Sequence, residues 1–241
     1  MGEIFRQLSG LLEHLGEKRI AVVHLFGAEI RFDVMAILMS WVVIILLVLL
    51  ALWLRRGLRR PVEEKPTRTQ AALDGLIDLL KTQLADNFAS ERLAIMMFPF
   101  ISTLFLYVLL CNWLGVFPYM MSPTQDINVT FGLALMVAVM SHVLAARFNG
   151  VRKWLKSFVE PYPFMLPINL VGVIANPLSH AFRLFGNILA GTILVTVIMV
   201  KFAPIFIPPV LNIFFGLFFG GIQAFVFAIL AVAYINVAVE G

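Results

Sequence analysis

Residues 161–200 read PYPFMLPINLVGVIANPLSHAFRLFGNILAGTILVTVIMV, and Arg183 is the only fixed charge among them. Widening the window to everything between Glu160 and Glu240 adds only Lys201. An apolar run of this length reads as membrane span, because a hydrocarbon core of roughly 30 Å takes about 20 helical residues to cross. A guanidinium at that depth costs ~2.5–3.5 kcal/mol on insertion scales and roughly 10–17 kcal/mol in simulations of isolated helices. It cannot shed its proton, since its pKa lies above about 12. No Asp or Glu lies in this span or in the one that follows. The counter-ion of Arg183 therefore has to come from another chain, a substrate or an anionic lipid.

The rest of the chain agrees with an all-α integral membrane protein. It is 61% hydrophobic and 13% charged, with a mean hydropathy of +0.95, against about 45–50% and 25% for soluble domains. Charge-free stretches at 34–54, 93–125, 127–146 and 202–239 are each long enough to span, and the Arg183 segment makes a fifth. These predict an extracytoplasmic N-terminal segment over 1–33 and one membrane domain over 34–241. Within it, spans fall at 34–54, 93–117, 127–147, 165–200 and 205–238. The first apolar run follows a polar lead and ends at Arg55-Arg56, so it reads as a helix rather than a cleaved signal. The lone Cys111 rules out an internal disulfide. No internal repeat is evident, and Pro118, Pro123, Pro161, Pro163 and Pro208-Pro209 mark span ends.

Cations set the orientation. Arg55, Arg56, Arg59, Arg60, Lys65 and Arg68 follow the first span, and Arg147, Arg152, Lys153 and Lys156 follow the third. The connection 118–129 holds Asp126 and no cation. The positive-inside rule puts 55–92 and 147–160 in the cytoplasm and 118–129 outside. The pI of 9.5 is thus explained by topology, and no nucleic-acid partner is expected. Between the first two spans, Leu73, Leu76, Ile77, Leu80, Leu84 and Phe88 make an amphipathic stripe, with Asp74, Asp78, Lys81 and Asp86 on the other faces. This predicts a helix over 68–90 lying on the cytoplasmic leaflet, or else packed on a partner's soluble part.

The last two spans each carry one polar line. At helical spacing, Asn176, Ser179/His180, Arg183, Asn187 and Ala190/Gly191 share a face. On the final span the line is Asn212, Gly216, Gly220, Gln223, Phe227 and Tyr234. Gly216 and Gly220 suit close approach of a neighbouring backbone. The two stripes are expected to face each other or water. Asn187, Gln223 and Tyr234 serve either transport or plain interhelical hydrogen bonding.

The run Pro177-Leu178-Ser179-His180-Ala181-Phe182-Arg183-Leu184-Phe185-Gly186-Asn187-Ile188-Leu189-Ala190-Gly191 resembles the signature of subunit a of the F-type ATP synthase membrane sector. Four further blocks, in order, resemble the same family: Phe98-Pro99-Phe100-Ile101, Asn112-Trp113-Leu114-Gly115, Pro123 to Thr130, and Gly221 to Phe227. The resemblance runs from about residue 34 to the C-terminus. It implies that the last two spans are long, tilted helices lying against a rotating ring of c subunits, each with a membrane-embedded carboxylate. It also implies b-type peripheral stalk subunits and the remaining synthase subunits as partners, a surrounding lipid bilayer, and a bacterial plasma or thylakoid-type membrane. Arg183 matches the arginine that separates two offset half-channels. A fixed cation there favours the ionised form of an arriving carboxylate and repels a cation leaking straight through.

The chain departs from the family at two usual ionisable positions. Thr192 stands where many members have a glutamate after the Ala-Gly, and Gly216 stands where some have a histidine. Other groups then have to serve ion access. Asp126 either draws cations to the outer mouth or caps the third span. His142 is either a membrane-embedded relay or a neutral hydrogen-bonded contact. His180, one turn before Arg183, is a candidate for the cytoplasmic half-channel, together with Asn176. No cofactor or metal is expected. No phosphate-binding Gly-x-x-x-x-Gly-Lys-Ser/Thr loop occurs, so ATP chemistry belongs to partners and the chain is not itself catalytic. A competing reading is a secondary transporter or channel whose Arg183 binds an anionic substrate. It predicts repeats and a broken helix at the site, and 178–200 contains no proline. A non-transporting assembly factor would leave the intramembrane arginine without a reason.

Overall fold

A computed structural model of the chain describes residues 20–25, 28–58, 68–82, 87–88, 90–117, 120–160, 162–201 and 207–240. Several expectations fall outside these residues: 1–19 of the N-terminal segment, Arg59, Arg60, Lys65, Leu84, Asp86, Pro118, Pro161 and the start of the last span at 205–206. Five helices among the described residues are long and apolar enough to cross a membrane. The protein is an all-α integral membrane protein with one small addition that the hydropathy reading missed. Strands β1 (Ile20–Leu25) and β2 (Ala28–Asp33) pair antiparallel, with Ile20 opposite Asp33 and Leu25 opposite Ala28. The alternation Ala28, Glu29, Ile30, Arg31, Phe32, Asp33 is the period-two signal that marks such a strand.

Asp33 ends the ribbon and starts α1 (Val34–Leu58): its carboxylate accepts from the Met35 amide at 2.9 Å. Helix α1 leaves Leu38, Trp41, Ile45, Leu49 and Trp53 exposed, and it buries Val43 against Cys111 and Leu114. Apolar side chains on nearly every face suit lipid contact. Helix α2 (Arg68–Leu80) packs beside α1, and its Leu80, with Phe88 beyond it, is buried in the main core. The amphipathic stripe thus reaches into the bundle at its C-terminal end.

Ser90 caps α3 (Glu91–Leu114), its hydroxyl accepting from the Leu93 amide. Asp126 caps α4 (Ile127–Asn149) after a 3₁₀ turn over Pro123–Gln125. Gly150, at φ 80°, turns the chain into the short α5 (Val151–Ser157), a conformation that glycine adopts without a Cβ clash. A second 3₁₀ turn, Pro163–Met165, leads into α6 (Leu166–Lys201), 36 residues long. The last span comprises α7 (Ile207–Ile213), a π-helical segment Phe214–Phe219, and α8 (Gly220–Glu240).

Helix α4 lies against both α6 and α8, and α3 lies against α8. The core between them is built from Ile101, Leu104 and Val108 of α3, Val137 and Leu144 of α4, Leu184 of α6, and Phe227, Ala228, Ala231, Val232 and Ile235 of α8. The alanines of α8, with Ala134 and Ala145 of α4, keep these helices close.

Candidate functional site

The π segment decides what the last span presents. A wider turn shifts the register of every side chain after it and loosens some carbonyls from the helix ladder. Two carbonyls at this place are taken up by α3. Trp113 Nε1 donates to the Leu217 carbonyl at 3.2 Å, and Asn112 Nδ2 donates to the Gly220 carbonyl at 2.9 Å. In return, Asn212 Nδ2 donates to the Val116 carbonyl at 3.2 Å. Asn112 is itself held by the Thr124 hydroxyl at 2.8 Å. Ser122 Oγ lies 2.6 Å from Thr124 Oγ1 and donates to the Cys111 carbonyl at 2.8 Å.

Gly216 and Gly220 pack here, against the end of α3. A Cβ on Gly216 would collide with the Val116 side chain, and one on Gly220 would sit 3.0 Å from Asn112 Cβ. The polar line expected along the final span meets more than one neighbouring helix, although Asn212, Gly216 and Gln223 share one cavity wall. Asn212, Gly216 and Gly220 face α3, whereas Gln223 meets α6 and Phe227 meets His180. The local change of helical pitch is the physical reason.

Asn187 and Gln223 join the last two spans directly: Asn187 Nδ2 donates to Gln223 Oε1 at 2.6 Å. Thr192 Oγ1 accepts from Gln125 Nε2 at 3.1 Å and donates to the Ile188 carbonyl at 3.0 Å. All of these groups line one cavity of about 440 Å³. Its polar wall consists of Asn112, Ser122, Gln125, Asn187, Thr192, Asn212 and Gln223, with Gly216 beside them. Gln223 is buried, and its Nε2 has no hydrogen-bond partner. Asp126 is buried too but lines neither cavity described here; one of its carboxylate oxygens accepts from the Asn128 amide at 2.7 Å.

A second cavity, of about 550 Å³, lies along the first part of α6. Ser141, His142, Trp154, Ser157, Glu160, Asn169, Asn176 and Tyr234 supply its polar wall. Trp154 Nε1 points at His142 Nδ1 at 3.4 Å, and the two rings meet edge to face. Glu160 pairs with Lys156 at 2.9 Å on an exposed turn. Pro177 lies within α6 and also lines this cavity. Having no N–H, it cannot bond the carbonyl of Val173, another wall residue.

Arg183 belongs to neither cavity. Pro177 is the last residue of α6 on the larger one and Asn187 the first on the smaller. Those ten positions span roughly 15 Å of helix, and Arg183 sits between them. Its side of α6, with Asn176, Ser179 and Asn187, is exposed, and among the described residues it has no ion-pair partner. His180, by contrast, turns inward: it is 1% exposed and lies under Phe227 and Tyr234 of α8. The structure thus divides the expected site residues into a group with Asn187, Thr192, Gln223 and Gly216 and a group with His142, Asn176 and Tyr234. In the sequence, Asn112, Thr124 and Gln125 stand within blocks that carry the family resemblance and are not among the expected site residues, and Ser122 lies outside those blocks. Their signal was present, as side-chain amides and hydroxyls inside the charge-free stretch 93–125.

A sequence model described as ATP synthase A chain matches residues 37–236. Among curated relatives, an ATP synthase subunit a 1 of Crocosphaera subtropica is 39% identical over 83% of this chain and 84% of its own length. An ATP synthase subunit a of Desulforamulus reducens is 36% identical over 88% and 81%. One of Acidothermus cellulolyticus is 35% identical over 82% and 74%. With the family match covering most of the chain and reaching into all five spans, the protein belongs to the ATP synthase A chain family, whose members are parts of a multi-subunit ATP synthase.

Proposed function

We propose that this chain is the stator ion channel of a rotary F-type ATP synthase, non-catalytic in itself, with its two cavities serving as offset half-channels. The single observation that carries the reading is the position of Arg183, outside both cavities and between them along α6. The exposed side of α6 around Arg183 is where a ring of c subunits lies. Each ring carboxylate that reaches Arg183 is held ionised by the fixed cation, and so gives up its ion on one side and takes up another beyond it. Arg183 never titrates, so it gates without carrying a proton. Ions passing down the field do work of about 2.3 kcal/mol per charge per 100 mV, which turns the ring and drives ATP synthesis on partner subunits.

By the positive-inside assignment, the cavity with His142 and Glu160 opens to the cytoplasm, and the cavity with Thr192 and Gln125 opens outward. Helix α6 is roughly 54 Å long at about 1.5 Å per residue, well beyond a hydrocarbon core of roughly 30 Å, so it crosses obliquely along the ring. Helix α2 lies at the cytoplasmic interface, and b-type stalk subunits hold the chain against rotation. The membrane is the bacterial plasma membrane, in line with the bacterial relatives. The alternative of an anionic substrate bound at Arg183 draws no support from family membership.

The test is ATP-driven ion uptake into vesicles holding the whole reconstituted synthase. Arg183→Ala is expected to abolish coupled uptake while the catalytic sector still hydrolyses ATP. Coupled uptake at the wild-type rate in that variant would refute the gate.

A further inference from the structure

One buried titratable side chain has no task in the gate or in the wall of either cavity. His180 is 1% exposed, and neither Nδ1 nor Nε2 has a well-aligned hydrogen-bond partner, the Phe227 backbone being a polar group close by. Its ring centroid lies 3.8 Å from that of Phe227 and 5.4 Å from that of Tyr234. A leucine would fill such an apolar niche without stranding two polar atoms, and stranded polar atoms are costly. An imidazole in this place calls for a partner that is present during turnover.

The surroundings say where the partner is. Asn176 and Pro177, three and four residues before His180, are the last residues of α6 on the larger cavity, and Tyr234 stands on the same wall. His180 is therefore the next titratable group along α6 from this cavity toward Arg183. Arg183 follows one turn later on the same helix. The other titratable groups on this side are Tyr234 from α8, His142 from α4 across the cavity, and Glu160 from the segment after α5. No carboxylate occurs on α8 before Glu240.

We propose that His180 is the proton-transfer residue at the inner end of this cavity, joining its water to the rotor carboxylate at Arg183. The proposal rests on the half-channel reading and commits that path to protons. In the synthesis direction, a proton released by the rotor carboxylate binds one ring nitrogen. The proton on the other nitrogen passes to cavity water. One proton enters and one leaves, the imidazole is neutral before and after, and a ring flip restores the first tautomer. Hydrolysis-driven pumping runs the same steps backward.

The test uses the complete complex in vesicles, with ATP-driven acidification and ATP hydrolysis followed over a range of pH. His180→Leu keeps the apolar packing on Phe227 and His180→Gln keeps a polar group. Both are expected to slow coupled pumping by about tenfold or more and to change the pH profile of pumping from that of the wild type. His180→Gly is expected to recover with added imidazole, and the recovery to track the pKa of substituted imidazoles of similar size. Wild-type rates and pH profile in His180→Leu would overturn the proposal, as would rescue indifferent to imidazole pKa. Should His180→Leu fail to assemble, the Gln and Gly variants decide by the same readouts. Sodium uptake without proton uptake by the wild type would overturn the His180 relay and leave the half-channels standing. Coupled transport surviving Arg183→Ala would instead remove the reading beneath both.

Discussion

The two cavities beside α6 are similar in size and different in chemistry. The larger carries His142, Glu160 and Tyr234, groups that titrate, on a wall built from α4, α6, α8 and the turn after α5. The smaller carries only amides and hydroxyls among its polar lining residues. On this wall Thr192 is bonded to Gln125, and at Gly216 the Val116 side chain occupies the space a side chain would need. On the half-channel proposal, water and fixed dipoles would carry an ion through the smaller cavity, while the larger one has bases and acids on its wall. Beside the smaller cavity, Asn112, Trp113 and Asn212 tie α3 and the turn after it to the last span across the π segment.

That difference predicts where substitutions hurt most. Gly216→Leu drives a side chain into Val116 and is expected to cost about 1–3 kcal/mol or more, read as lost assembly in native gels; a second change, Val116→Ala, should restore part of it. Asn112→Ala removes the side-chain donor from the Gly220 carbonyl and one of the two partners of the Thr124 hydroxyl, which keeps Ser122, and is expected to cost about 1–3 kcal/mol. The expected result is a lower melting temperature in detergent, with outward-side ion access altered and the larger cavity untouched. Asn187→Ala and Gln223→Ala should be coupled by about 0.6–1.7 kcal/mol in a double-mutant cycle, and simple additivity would mean that the 2.6 Å contact contributes little. Trp154→Phe removes only a long bond to His142 and keeps the ring packing, so a change under about 1 kcal/mol is expected. Lys156→Ala breaks an exposed ion pair and should leave stability unmoved.

The spans were legible because length and lack of charge are sufficient evidence for a helix in lipid. Arg183 and the Asn187–Gln223 pair were legible for a related reason, since a polar group in an apolar span stands out. Helical spacing alone could not place His180, which shares a nominal face with Arg183 but turns toward Phe227. It also could not see the π segment, because a one-residue change of pitch leaves no mark in the pattern of Phe214 to Phe219 and comes from hydrogen bonds offered by another helix. Asp126 had two readings, and its bond to the Asn128 amide shows the capping one in place. The β-ribbon lay in plain view as alternation, in a segment read only for its charge.

The most direct test of the central claim is side-specific labelling of the reconstituted synthase, in which Cys111 is first replaced by Ser. A single cysteine is then placed at Asn176 or at Asn187, on the two cavities that flank Arg183. With a membrane-impermeant thiol reagent, Cys at 176 is predicted to react only from the cytoplasmic side and Cys at 187 only from the opposite side. Reaction of both from the same side would contradict two half-channels divided by Arg183.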